Sequence, residues 1–244
     1  MSSIVVCCSG RFKAVALSLI AAALPLTLAA QNAPENANPP KPATPAKTQQ
    51  SAAHGQAAGT LGKTLSQAEQ QTLGRAAGKV LDQIQDQEFD LYTRLTYFEK
   101  PERLNPASFA SVDEVKQWKS MLEQMKQKSQ QVADLYTNVS KNLDQELRNA
   151  QINEQLAAKF KAVILEGFPW ETIQKKDQLM REYIGEHGKL LAFYETNWGT
   201  WKPGADPAKP VFNSPQEATA FQKLREQIIS TGQQLDAAYK SMSQ

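Results

Sequence analysis

Cysteine is almost missing from this chain. Cys7 and Cys8 both precede an apolar run at 14–30, so a chain cut behind that run has no disulfide. It also has no thiolate to offer a metal. Histidine is nearly as scarce: His54 lies among Ala and Gly, which leaves His187 alone in the expected folded part. An excess of one charge is lacking too. Lys plus Arg number 27 against 25 Asp plus Glu, and Arg11 and Lys13 lie within the acid-free stretch 1–30. The remainder is formally neutral, which argues against nucleic acid as a partner, because such binders need a basic face. GxSxG elbows, phosphate-binding glycine loops, HExxH and calcium-loop spacing do not occur. No catalytic residue, cofactor or metal ligand is therefore assigned.

One long apolar run is present, and it stands at the front. Residues 14–30 are broken only by Ser18, Pro25 and Thr27, with Arg11 and Lys13 ahead and small residues Ala29 and Ala30 at the end. That is the build of an export signal at 1–30, cut near Ala30 or Ala33. If it stays attached it is a short anchor, the only way a membrane enters the reading. A disulfide-free exported helical protein fits the periplasm or another bacterial envelope space, or release from the cell. From 31 to 60 follows a linker with Pro34, Pro39, Pro40, Pro42 and Pro45 and no aromatic residue. It has too little apolar surface to offset its ordering entropy, and reads as a tether or an unstructured terminus.

The folded part, 61–244, is organised around one stripe. Val115, Trp118, Leu122, Met125, Ser129, Val132, Tyr136, Val139 and Leu143 follow at alternating steps of three and four. No proline falls between Pro106 and Pro169, so the spacing predicts one helix over 112–166. After Leu143 the stripe shifts and broadens through Leu147, Leu156, Phe160 and Ile164. That shift marks a passage to a fuller core or a bend. Helices over 66–99, 170–198 and 215–242 are predicted beside it. Ser66 with Glu69, Ser111 with Glu114, and Ser214-Pro215 with Glu217 set three of the four starts. The expected fold is all-α: an antiparallel bundle of about four helices with an elongated, coiled-coil-like pair. Whatever length the two shorter helices fail to cover would project as an arm or meet a second copy.

Two groups of residues are candidates for a site. Tyr194, Trp198, Trp201 and Phe212 flank the turn after the third predicted helix, as an interaction patch or as a plug closing the bundle end. Glu182, Glu186 and His187 form a weak polar candidate. The residue three before His187 is Ile184, so the Glu-x-x-His signature of metal-binding bundles fails. A partly buried structural histidine is the plainer reading. Three functions follow. The first is an exported, non-enzymatic scaffold that binds another envelope protein or itself. The second is a periplasmic chaperone-like bundle that holds an apolar ligand in a groove. The third is a bundle enzyme or metal protein centred on His187.

Overall fold

The computed structural model describes residues 65–204 and 209–242. The leader at 1–30 and the linker at 31–60, with His54, lie outside the described residues. Among the described residues six helices follow in order: α1 (Gln67–Phe98), α2 (Val112–Thr137), α3 (Val139–Asn149), α4 (Glu154–Glu166), α5 (Trp170–Thr196) and α6 (Pro215–Met242). Short 3-10 turns at Pro101–Leu104 and Pro106–Ser108 join α1 to α2. Between α5 and α6 a two-residue ladder pairs β1 (Trp201–Lys202) with β2 (Val211–Phe212), antiparallel. The architecture is an all-α bundle. Among the described residues, no helix is long and apolar enough to cross a membrane.

Side-chain caps start α1, α2 and α6. The Ser66 hydroxyl accepts from the Glu69 N–H at 3.3 Å, and the Glu69 carboxylate accepts from the Ser66 N–H at 2.9 Å. At α2 the Ser111 hydroxyl accepts from the Glu114 N–H at 3.2 Å. Its reciprocal bond slips by one residue: the Glu114 carboxylate takes the Ala110 N–H at 2.7 Å and Arg103 at 3.0 Å. The Ser214 hydroxyl likewise accepts from the Glu217 N–H at 3.2 Å.

Cross-helix pairs fix the topology. Lys128 bridges to Asp90 and Lys79 to Glu146, so α2 and α3 run antiparallel to α1. Lys119 meets Glu195, which sets α5 antiparallel to α2. Phe193 lies against Phe221 while a β-carbon on Gly232 would stand 3.2 Å from Tyr183, so α6 returns antiparallel to α5. The stripe is sealed within this chain. Val115, Leu122, Met125, Ser129, Val132, Tyr136, Val139 and Leu143 are all buried, and Trp118 is half-buried. Each large apolar side chain buried this way is worth about 1.5–3 kcal/mol.

The expected single helix over 112–166 is three helices. The first interruption is a bend at Asn138 (φ −97°, ψ 5°), where the backbone N–H and the side-chain amide both donate to Asp134 O. The second reverses the chain. Gln151 takes a left-handed φ of 56°, its N–H donates to Arg148 O, and the Ile152 N–H donates to Leu147 O. That pair of bonds is a Schellman ending, built here without glycine. The Asn153 side chain then caps α4 by accepting from the Gln155 N–H at 3.0 Å. With no proline or glycine to mark it, the turn shows in the sequence only as the change of stripe after Leu143. As a result α4 doubles back on α3, tied by Lys161 to Asp144 at 2.7 Å. The first half of α1 packs on α3, with Leu73, Val80, Ile84, Leu143 and Leu147 buried. The expected bare arm is thus a covered one, and a second copy is not required to seal it.

Candidate functional site: a buried ion pair and the cleft beside it

Two charged residues occupy core positions at the middle of the bundle. Glu88 stands on the apolar line of α1 between Ile84 and Leu91, and Lys176 on that of α5 between Ile173 and Met180. Each is only 2% exposed. The Lys176 ammonium donates to Glu88 Oε1, and the Tyr239 hydroxyl from α6 donates to Glu88 Oε2 at 3.3 Å. The Tyr136 hydroxyl from α2 also bonds to Glu88. The ammonium lies 5.2 Å from the Tyr136 ring centre and 5.7 Å from that of Tyr239, a cation held by two π faces. Burial and the neighbouring Glu88 charge push both tyrosine hydroxyls well above their usual range. Four elements therefore meet on one pair of charges.

Beside this pair, at the Asn138 bend, a cleft of about 330 Å³ opens between α2, α3, α5 and the end of α4. Its walls are mainly apolar: Ala133, Tyr136, Val139, Leu165, Trp170 and Ile173. Thr137, Ser140, Gln174 and Asp177 add polar groups, and Lys176 closes one side. Trp170 is fixed in place. It stacks on Phe168 with ring centres 5.0 Å apart, and its indole N–H donates to Leu165 O at 2.9 Å. The volume lies at the low end of the range for small-molecule sites, and the cleft is partly open, with six apolar and five polar or charged lining residues. Across the bend, toward α1, a more open groove of about 530 Å³ is mostly polar, lined by Gln83, Gln87, Gln131, Asn138 and Asn142 with Asp134, Lys141 and one apolar residue, Leu135.

The structure brings Tyr194, Trp198, Trp201 and Phe212 together. Trp201 lies 5.1 Å from Trp198, 6.2 Å from Tyr194 and 6.3 Å from Phe212, by ring centres. Phe221 and Phe193 extend the cluster at 5.1 Å and 5.7 Å from Phe212. Tyr194 is fully buried, and its hydroxyl has no hydrogen-bond partner. Desolvation raises that hydroxyl, opposed by the charge of Arg225. Gly199, at φ 85°, turns the chain, and the β1–β2 ladder then folds Trp201 and Phe212 over the end of α5.

Glu182, Glu186 and His187 lie in different surroundings on α5, and Glu186 is half-buried with a carboxylate oxygen, Oε2, that has no hydrogen-bond partner. Glu182 is exposed and accepts from Gln178, whereas His187 is buried between Phe98 at 5.5 Å and Tyr183 at 4.5 Å. Its Nε2 has no partner, and burial lowers its pKa to about 3. Among the described residues, no three His, Cys, Asp or Glu side chains gather as a metal site. The ion pair was the feature that sequence reasoning passed over. Its signal was present as two gaps, at 88 and 176, in otherwise apolar stripes. No protein-family model, curated protein or solved structure matches the chain. The residues around the bend therefore carry the functional argument alone.

Proposed function

We propose that this chain is an exported, non-catalytic helical binding protein that holds a small apolar molecule in the cleft at the α2–α3 bend. The observation that carries the reading is the cleft itself: about 330 Å³, walled by Tyr136, Leu165, Trp170 and Ile173. An apolar guest would displace water from these walls, worth about 25 cal/mol per Å² of surface covered. The polar groups at Thr137, Ser140 and Asp177 would orient its one polar end. Titration of the full chain with the neutral dye N-phenyl-1-naphthylamine tests this. One saturable site is expected, lost in Ala133→Phe and Ser140→Phe and kept in Val211→Ser at the far end. Equal dye binding in all three variants, with helicity unchanged, would sink it.

A second reading, a scaffold for an envelope partner, is favoured by Phe89 and Tyr97, which α1 leaves about half exposed at 53% and 49%. Large exposed aromatic side chains are common anchors of protein interfaces. Under that reading Phe89→Ser with Tyr97→Ser abolishes a sedimentation shift that the unaltered chain shows with itself or with envelope extract. Export predicts a secreted form whose N-terminus lies just after Ala30 or Ala33. An N-terminus still at Met1 in an expressing bacterium would remove the exported setting.

A further inference from the structure

Both ionic side chains that line the cleft at the bend, Lys176 and Asp177, are already answered by another charge. The Lys176 ammonium is spent on Glu88, with each side chain 2% exposed. Asp177, nearer the rim, is paired one turn along α5 with Arg181. Each pair is neutral, so the wall holds no surplus of either sign for a guest. A carboxylate drawn toward Lys176 meets the opposing charges of Glu88 and Asp177. An ammonium meets Lys176 itself, which lies 5.2 Å from the ring centre of Tyr136, one of the cleft's two large aromatic walls. Either ion would give up its hydration without gaining an unpaired counter-ion.

The hydrogen-bonding capacity that remains can both give and accept. The Thr137 hydroxyl donates to Ala133 O at 2.9 Å, so it has only lone pairs left to offer. One Asp177 oxygen is taken by Arg181, which leaves the other to accept. The Ser140 hydroxyl and the Gln174 amide have no partner among the described residues, and each can donate as well as accept. We propose that the cleft selects an uncharged apolar molecule with one hydroxyl head, an alcohol or a phenol, over acids and amines of the same shape. The inference rests on the cleft being a binding site and adds the chemistry of its guest.

The test is calorimetric titration of the full chain at neutral pH with ligands that share one apolar body: naphthalene, β-naphthol, β-naphthoate and naphthylmethylammonium. Naphthol should bind about tenfold more tightly than either ion, a modest share of the cost of burying a charge because the cleft is partly open. Ser140→Ala with Gln174→Ala removes the two free neutral partners without filling the cleft. That variant should weaken naphthol about two- to tenfold and leave naphthalene nearly unchanged. Asp177→Asn leaves Arg181 unpaired and should narrow the gap between naphthoate and naphthol. Naphthoate or the ammonium binding as tightly as naphthol overturns the selectivity and leaves the cleft a binding site. Naphthol binding no better than naphthalene, with no loss in the double variant, overturns the role of the hydroxyl. If none of the four binds while helicity is intact, the cleft reading itself falls and takes this inference with it.

Discussion

The two ends of α5 are packed by different physics. At its C-terminal end, Trp118, Phe109, Tyr194, Trp201, Phe212 and Phe221 meet with ring centres 5.1 to 6.3 Å apart. The contacts are between carbon faces and edges, so losing one leaves the rest in place. Toward its N-terminal end, Lys176 and Glu88 form a fully buried pair on which α1, α2, α5 and α6 converge. A cleft adjoins the second region, at the bend where α2 gives way to α3. Shared apolar area makes the first region tolerant. The second depends on both partners being present.

The sharpest way to break this comparison is to remove one charge. Lys176→Met leaves Glu88 buried without its counter-ion and should lower the unfolding free energy by about 3–5 kcal/mol. The double substitution Glu88→Leu with Lys176→Met removes both charges and should recover most of that loss, to within about 1–2 kcal/mol. Urea unfolding of the three variants decides the point. If the single and double variants lose equally, the pair is not what organises the middle of the bundle.

His187 gives the next largest effect and is driven by pH. Its pKa is lowered to about 3 by burial, so the unfolded chain binds the proton first as pH falls below 6.5. Stability is whole above that value and is lost progressively down to about pH 3, by up to about 1.4 kcal/mol per unit. Glu99 acts in the opposite sense between its usual 4.5 and about 7, gaining stability as pH falls. It is more than a third exposed, so its share is about 1 kcal/mol and the histidine wins below pH 5. His187→Phe should flatten the acid limb of the unfolding profile, whereas Glu99→Gln should steepen it between pH 7 and 5.

At the closed end, Phe212→Ala removes a half-buried ring that touches Phe193, Trp201 and Phe221. A fully buried ring costs about 3–5 kcal/mol on truncation, so about 2 kcal/mol is expected here. Dye binding at the bend should be unaffected. A loss of dye binding in this variant would mean that the two regions are coupled rather than merely different.

Much of the fold was legible in the stripes, because burial repeats with the helical period wherever a helix continues. Val115 to Leu143 needed a cover, and α1 with α5 supplies it. The Ser66, Ser111 and Ser214 caps were legible for a similar local reason: a hydroxyl three residues before an acid competes only with nearby N–H groups. The reversal at Gln151 was not, because its conformation is imposed by the packing of α4 on α3 and not by the residue itself. The cleft was hidden with it, since Leu165 and Trp170 reach the bend only after the chain has doubled back. Glu88 and Lys176 were hidden differently. Each alone reads as a solvated charge, and only their pairing across 88 residues of chain makes burial tolerable.

The smallest effect tests that reversal. A non-glycine residue in the left-handed region costs about 1–2 kcal/mol, and glycine does not incur it. Glycine also gives the unfolded chain more freedom, which offsets about 0.5–1 kcal/mol of the gain. Gln151→Gly should therefore stabilise the chain by about 0.5 kcal/mol, seen as a higher urea midpoint with an unchanged slope. Gln151→Val, branched at the β-carbon and strained at φ 56°, should move the midpoint the other way. The α3–α4 turn carries the chain back to Leu165 and Trp170, so the valine variant should weaken dye binding at the bend while leaving the aromatic end intact. If instead glycine destabilises and valine is neutral, Gln151 is not left-handed in solution. In that case α3 and α4 would form the straight continuation that the unbroken run of helix-formers first suggested.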